Sequence, residues 1–418
     1  MRINRNKYLN ELIIRMNNNM IKVVTGIRRC GKSYLLNNIF YDYLISNGVD
    51  KQHIISVALD DLENQNLLDA VSLNEYVKSK IVDNNMYYLI VDEIQEVKNF
   101  VPLLNGWLKI DNLDVYVTGS NSKFLSSDII TEFRGRGDQI HISPLSFKEF
   151  FDAQNLDFDI AFDDYLTYGG MPFILNRKTE ILKMNYLKDL FKEIYLKDIK
   201  ERYGTKNDSE MEELLNIISS SIGSLTNPTK LEKTFKSLKN VSLSKNTIDS
   251  YLKIFEESFL VRKADRFDIK GKKYINTPSK YYIVDMGLRN ARLNFRQHEE
   301  THMMENIIYN ELIIRGYNVD VGVVEISEKN ENNNYVRKQL EIDFVANIGN
   351  DKIYIQSAFS LPNIEKVNQE IRPFLKVEDS FKKVVIVRNN IRPRKDEYGI
   401  ITISIKDFLL NENILNEI

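Results

Sequence analysis

The spacing of apolar and polar residues changes along the chain, and the changes divide it. "IKVVTG" (21–26), "HIISVAL" (53–59), "YYLIVDE" (87–93) and "DVYVTGS" (114–120) are short, almost wholly apolar runs. Such runs suit strands covered on both faces of a parallel sheet. "KSYLLNNIFYDYLISNG" and "LNEYVKSKIVD" between them have helical spacing, which predicts the α/β alternation of a doubly wound sheet. After the Gly169, Gly170 and Pro172 breaks of "YGGMP", "KMNYLKDLFKEIYLKDIKERYG" predicts one long amphipathic helix ending at Gly204.

Beyond residue 210 the pattern changes. "EELLNIISSSIG", "NPTKLEKTFKSLK" and "SLSKNTIDSYLKIFEESFL" predict three short helices. Asn227 suits the N-cap of the second and Pro228 its first helical position, and the third starts near Ser244. "FLVRKADRFDIKGKKYINTPSKYYIVD" then reads as a β-hairpin with a Lys-Gly-Lys-Lys tip. Three helices and a basic hairpin describe a winged helix-turn-helix. The last part opens on helix "EETHMMENIIYNELIIRG", with strands at 317–325, 338–347 and 352–358. Helix "PNIEKVNQEIRPFLKV", strand "KKVVIVR" and a strand–helix "GIITISIKDFLLN" complete it, and "SEKNENNNY" (327–335) reads as a polar loop. There is no internal repeat.

"GIRRCGKS" (Gly26–Ser33) matches the P-loop pattern G-x-x-x-x-G-K-[ST], with a strand before it and a helix after it. Its glycines let backbone N–H groups curl around a phosphate, and the helix N-terminus adds a field that favours anions. Gly26, Arg29, Cys30, Gly31, Lys32, Ser33 and Tyr34 are the candidate nucleotide-binding residues. Lys32 is suited to the β/γ-phosphates and the Ser33 hydroxyl to Mg²⁺. Asp92 ends a buried strand, where α/β sheets bind ligands, and is the second candidate for Mg²⁺. Glu93 is the candidate general base for the attacking water. Thr118, Ser120 and Asn121 follow the next strand as candidate contacts for that water or the γ-phosphate. Arg134 and Arg136 of "EFRGRG" are candidates to stabilise transition-state charge on a neighbouring subunit. Cys30 otherwise reads as a variable loop position, with a reactive thiol as the lesser alternative.

"GIRRCGKSYLL", "LIVDEIQEV", "VTGSNSKFLSSDI", "FRGRG", "ISPLSFKEF", "YGGMPFIL", "SIGSLTNP" and "GKKYINTPSKYYIVDMGLRNA" carry a resemblance that covers nearly the whole chain. The chain resembles a prokaryotic family of AAA-superfamily ATPases with a C-terminal domain of unknown function. "PLSFKEF", "GGMP" and "TPSKYYIVDMGLRNA" are its narrowest signals. The resemblance implies an α/β fold: a P-loop parallel-sheet ATPase core over 1–160, a helical lid over 161–208, a winged helix over 209–297 and a restriction-endonuclease-like α/β domain over 298–418. It implies ATP and Mg²⁺ as cofactors and puts nucleotide contacts on Gly26, Gly31, Lys32, Ser33, Asp92 and Glu93. It assigns no nucleotide-sensing arginine in the lid.

For DNA, the candidates are Lys245 and Asn246 at the start of the third helix and Lys270, Lys272 and Lys273 on the hairpin. Winged helices also dock proteins, so a protein partner is the alternative. The tail has the frame of a metal-dependent nuclease, which needs two carboxylates around Mg²⁺ and a lysine beside the attacking water. Asp343 and Glu305 supply carboxylates, but Gln356 and Ala358 stand where Glu-x-Lys is expected. Lys352 and Lys366 are the candidates to replace the missing lysine, and the alternative for Asp343 is a structural acid that caps a turn or pairs with a lysine. The site therefore reads as degenerate.

Three functions follow: an ATP-hydrolysing switch that remodels DNA or a protein, an ATP-ordered DNA-binding regulator, and, least favoured, an ATP-gated nuclease. Homo-oligomers and a protein partner on the C-terminal domain are further expectations. With 418 residues, 43% hydrophobic and 28% charged, the chain has ample core for two or three domains. Its net charge of -2 gives no general affinity for nucleic acid, so any basic site must be local. A single cysteine excludes an intrachain disulfide and suits the cytoplasm. No apolar run reaches membrane-span length, and the N-terminus lacks the pattern of a secretory signal.

Overall fold

The computed structural model describes residues 3–119, 135–196, 199–200, 208–239, 243–329 and 333–418. The chain forms two compact units, Met1–Leu145 with Glu257–Phe259, and Ser146–Glu256 with Leu260–Ile418.

The first unit is built on five parallel strands: β1 (Ile21–Thr25), β2 (Ile54–Ala58), β3 (Tyr87–Asp92), β4 (Leu113–Gly119) and β5 (Gly137–His141), in the order β2-β3-β4-β1-β5. The three central strands β1, β3 and β4 are buried at every position, which is why they read as almost wholly apolar runs. β5 is a sheet edge, so its sequence "GDQIH" keeps polar residues and carries no apolar signal. The core gathers Val23, Val57, Leu89, Val91, Val117 and the fully buried Trp107. The Trp107 indole N–H donates to Asn74 Oδ1 at 3.2 Å. At the start of β1 and β4, Lys22 pairs with Asp114, both buried. Asp114 also accepts the Tyr116 hydroxyl at 2.7 Å and the Asn17 N–H at 3.0 Å, so this pair is a satisfied structural network.

The second unit has an eight-stranded mixed sheet. Its strands are β6 (Val261–Asp268), β7 (Lys273–Ile283), β8 (Asn318–Lys329), β9 (Tyr335–Ile348), β10 (Asp351–Ala358), β11 (Lys382–Val387), β12 (Arg394–Lys395) and β13 (Ile401–Ser404). Their order is β12-β13-β11-β10-β9-β8-β6-β7. The β6–β7 hairpin is thus the edge of the same sheet as β8–β11, joined by parallel pairing of β6 with β8. β8 and β9 extend to Lys329 and from Tyr335, so they take in both ends of the stretch expected to be a loop.

Helix starts follow their local signals. Ser146 and Glu149 form a reciprocal capping box on helix Phe147–Asp152. Asn227 Oδ1 accepts the Lys230 N–H at 2.7 Å and starts helix Pro228–Lys239. Ser244 Oγ accepts the Thr247 N–H at 3.2 Å and starts helix Lys245–Glu257. The expected long helix runs from Glu180 to Asp189 and continues through a wider helical turn, Leu190–Leu196. Its expected end at Gly204 lies outside the described residues.

The narrow motifs meet inside this unit. Asp285, 3% exposed, accepts the Gly170 N–H at 2.6 Å and the Leu288 N–H at 3.0 Å, capping helix Met286–Arg292. Gly169 lies at φ +71, where a Cβ would come within 2.2 Å of Asp285 Oδ1. Asn290 Nδ2 donates to the carbonyls of Leu166 and Thr167, both at 2.9 Å. "YGGMP" and "VDMGLRNA" therefore splice helix Phe158–Tyr168 to helix Met286–Arg292. Burial pushes the Asp285 carboxyl up to about 6, against the pull of its three backbone donors.

Candidate functional site

The loop after β1 holds Gly26 at φ +146, with no room for a side chain: a Cβ would sit 2.2 Å from the Ile142 carbonyl oxygen. Arg29, at φ +69, and Gly31, at φ +102, turn the chain into the helix that begins at Lys32. The Lys32 side chain folds back along the loop. Its ammonium donates to the Gly26 carbonyl at 3.1 Å and the Ile27 carbonyl at 3.4 Å, and the residue is 4% exposed. Ser33 and Tyr34 are exposed on the first helical turn. Cys30 is fully buried, with its backbone N–H on Ile27 O at 3.2 Å. Burial pushes its thiol up, which removes the reactive-thiol alternative.

At the end of β3, Asp92 is 6% exposed and accepts hydrogen bonds from the hydroxyls of Thr118 and Ser33. Burial pushes its carboxyl up, and the two hydroxyls pull it back. Thr118, expected to contact the attacking water, is fully buried. It instead links the two acids, accepting the Glu93 N–H at 2.9 Å. Glu93 takes a left-handed conformation, φ +54, that turns it off the strand end, and Gln95 Nε2 donates to Glu93 Oε2. Arg136 is exposed beside β5, with its carbonyl on the Ile21 N–H at 3.0 Å. Ser120, Asn121 and Arg134 lie outside the described residues.

This donor set fits a nucleotide with Mg²⁺. A lysine held by neutral carbonyls keeps its charge for an anion. A buried carboxylate beside a hydroxyl gains from a cation, which favours its charged form.

Lys245, Asn246, Lys270, Lys272 and Lys273 are all exposed. Asp268 Oδ1 accepts the Gly271 N–H at 2.9 Å and fixes the hairpin tip. Asp343 and Glu305 do come together, but around a residue not singled out in the sequence. Lys280 of β7 puts its ammonium 2.8 Å from Glu305 Oε1, 2.8 Å from Glu341 Oε1 and 3.7 Å from Asp343 Oδ1. The Tyr282 hydroxyl donates to Glu305 Oε1 at 2.7 Å. Burial alone would lower Lys280, but Glu305, Asp343 and Glu341 outweigh it and raise the ammonium well above its ordinary value. Burial, then Glu305, push Asp343 far above the carboxylate range, against Lys280 and the Ser357 N–H, which donates to Asp343 Oδ2 at 2.8 Å.

Gln356 engages elsewhere. Its Oε1 accepts the Asp343 backbone N–H at 3.4 Å, and its Nε2 donates to Glu370 Oε2 at 3.1 Å. Its carbonyl is therefore engaged by the backbone, not offered as a metal ligand. Neither candidate substitute lysine joins the cluster. Lys352 lies over the rings of Phe267 and Phe381, and Lys366 pairs with Glu370 at 2.6 Å. The signal that was there to read is a lysine set in the run "KYYIV", a charge in a strand with buried neighbours. Among the described residues, no group of three or more His, Cys, Asp or Glu side chains is arranged to hold a metal ion, and no helix is long and apolar enough to cross a membrane.

Residues 18–151 match the AAA domain family, and residues 160–299 match a domain of unknown function. An uncharacterized protein of Haemophilus influenzae is 34% identical over 414 residues, 98% of each chain. An uncharacterized protein of Methanocaldococcus jannaschii is 30% identical over 422 residues, 96% of this chain and 88% of its own. The chain belongs to their family. This chain joins an AAA domain to a domain of unknown function. Among solved structures, the Aeropyrum pernix ORC1 protein in complex with DNA is similar at 10% identity and a TM-score of 0.33. It covers 70% of this chain and 93% of that one, and the likeness is too distant to carry an argument.

Proposed function

We propose that this protein is an ATP-hydrolysing switch that acts on a bound DNA. The observation that carries the reading is the loop itself: Lys32 tethered to Gly26 and Ile27, next to a helix start, with Asp92 and Glu93 at the end of a central strand. Loop backbone groups from Gly26 to Ser33, with Arg29, Cys30 and Tyr34 around them, would cradle the phosphates. Ser33 and Asp92 would hold Mg²⁺, which when bound neutralises charge on the phosphate oxygens. Glu93 would take the proton of the attacking water. The Gln95 amide donates to Glu93. Asn121 and Arg136 are the further candidates, Arg136 for a neighbouring copy's γ-phosphate in a homo-oligomer.

The domain reading stands as part of this proposal: core 1–160, lid 161–208, winged helix 209–297 and restriction-endonuclease-like domain 298–418. Support for the winged helix comes from the three helices, two of them capped by Asn227 and Ser244, the β6–β7 hairpin and the antiparallel bridge of Thr226 to Ser279. Lys245 and Asn246 would meet DNA from the third helix, and Lys270, Lys272 and Lys273 its phosphates from the tip. A cleaving role for Glu305, Asp343 and Gln356 is disfavoured, because Lys280 occupies the carboxylates and Gln356 is engaged by Asp343. The C-terminal surface is left for binding, a protein partner included.

The test is ATP turnover with and without DNA for the wild type, Lys32→Ala and Glu93→Gln. Both variants are expected to lose turnover. Equal rates in all three end the reading. No wild-type turnover, with salt-dependent DNA binding that neutralising Lys270, Lys272 and Lys273 weakens, would leave an ATP-ordered regulator instead.

A further inference from the structure

Strands β6 and β8 run parallel but pair only from Arg266 with Val321 to Asp268 with Val323. Before that point each strand keeps only its other neighbour. Residues 261–264 pair with β7, and residues 318–320 pair with β9. The two strands therefore part, and a groove of about 530 Å³ opens between them, reaching Tyr309 of helix Glu300–Ile314. That volume lies within the ~300–1,000 Å³ range of small-ligand sites.

Three chemistries line the groove. Phe267 and Tyr274 are cross-strand partners with ring centres 5.4 Å apart, and Tyr274 is 62% exposed. Asp320 accepts the Tyr274 hydroxyl at 3.1 Å, and Asn318 and Asn347 bring amides beside it. Lys352 supplies positive charge, Lys263 pairs with Asp265 at 2.7 Å, and the exposed lysines of the hairpin tip follow along the same strands.

We propose that this groove takes an unstacked base of a single-stranded nucleic acid. An exposed aromatic ring beside a second ring offers a stacking face, which only an unpaired base can meet. The Asp320 carboxylate and the two amides match the edge of such a base. Lys352 and the hairpin-tip lysines match its flanking phosphates, in a chain whose net charge of -2 gives no general affinity for a polyanion. A peptide would use the parted strand edges but has no need of the lysines at the hairpin tip. The proposal extends the DNA-binding reading of the hairpin, and the test separates the two.

The experiment is fluorescence anisotropy of the full chain at low salt. The probes are labelled oligo-dC and oligo-rC of roughly 16 nucleotides, the upper end of single-strand site sizes, and a duplex of equal length. Both strands binding alike means that the base and phosphates are read. Preference for one means that the sugar is read as well. Tyr274→Ala is expected to weaken single-strand binding about 10-fold, within the range of one lost stacking contact, and to leave the duplex unchanged. Tyr274→Phe keeps the ring and should retain most of the affinity. No single-strand binding by the wild type, or no effect of Tyr274→Ala, overturns the groove. So does an equal loss on the duplex. Intact duplex binding that depends on Lys270, Lys272 and Lys273 would in that case leave the hairpin reading standing.

Discussion

Lys32 and Lys280 are buried almost alike, at 4% and 3% exposed, yet their surroundings are opposite. Lys32 rests on two backbone carbonyls, which orient its ammonium without cancelling its charge. Lys280 is met by three acidic side chains, Glu305 and Glu341 at 2.8 Å and Asp343 at 3.7 Å, which leave it no charge to offer. A buried cation held by dipoles stays available to an incoming anion. One held by acids is already spoken for, and its site acts as a clamp within the sheet. Burial and residue type are the same in the two cases. The charge of the partners decides which lysine can bind a ligand.

The sharpest way to break this contrast is to remove each lysine. Lys280→Ala leaves buried Glu305 and Asp343 without their cation and should destabilise the second unit by about 3–5 kcal/mol. Glu341, about a third exposed, contributes least because water screens it. Urea unfolding reads the loss, and a midpoint unchanged from wild type would contradict the clamp. Lys32→Ala should do the reverse. Turnover should fall on the order of 10²–10³-fold, as when one transition-state donor is lost, while the urea midpoint stays near that of the wild type.

Asp343→Asn sharpens the comparison further. Its carboxyl is raised in the fold, so its contribution is whole below the ordinary carboxylate range and is lost as pH rises through the raised value. The Asn variant can still accept the Ser357 N–H and carries no charge to lose. It should gain on the wild type by ~1 kcal/mol or more between about pH 5 and about pH 8, read from paired melting curves. A gap that shrinks with rising pH would contradict the assignment. The smallest effect is local: Asn227→Ala removes one helix cap, at about 1 kcal/mol, measured by denaturant midpoint.

What could be read from the sequence tracks how local each feature is. The loop Gly26–Ser33 is eight consecutive residues whose conformations and contacts are set by near neighbours, so its shape was legible, as were the caps Asn227 and Ser244. β5 was not, because an edge strand need not be apolar. The Lys280 cluster was not either: its members come from β7, helix Glu300–Ile314 and β9, and only the pairing order of the sheet brings them together. Sequence proximity to Gln356 suggested Lys352 and Lys366 instead, and both are held by nearer partners. The Asp343 alternative, an acid paired with a lysine, describes the fold correctly without naming the lysine.

Filling a carboxylate nest with a cation from the chain itself changes what the molecule needs from its surroundings. The second unit carries its counter-ion through synthesis, so chelators and swings in divalent ion supply should leave its folding untouched. Among the described residues the proposed nucleotide site has no such internal substitute beside Asp92, and its chemistry would start and stop with the metal the cell provides.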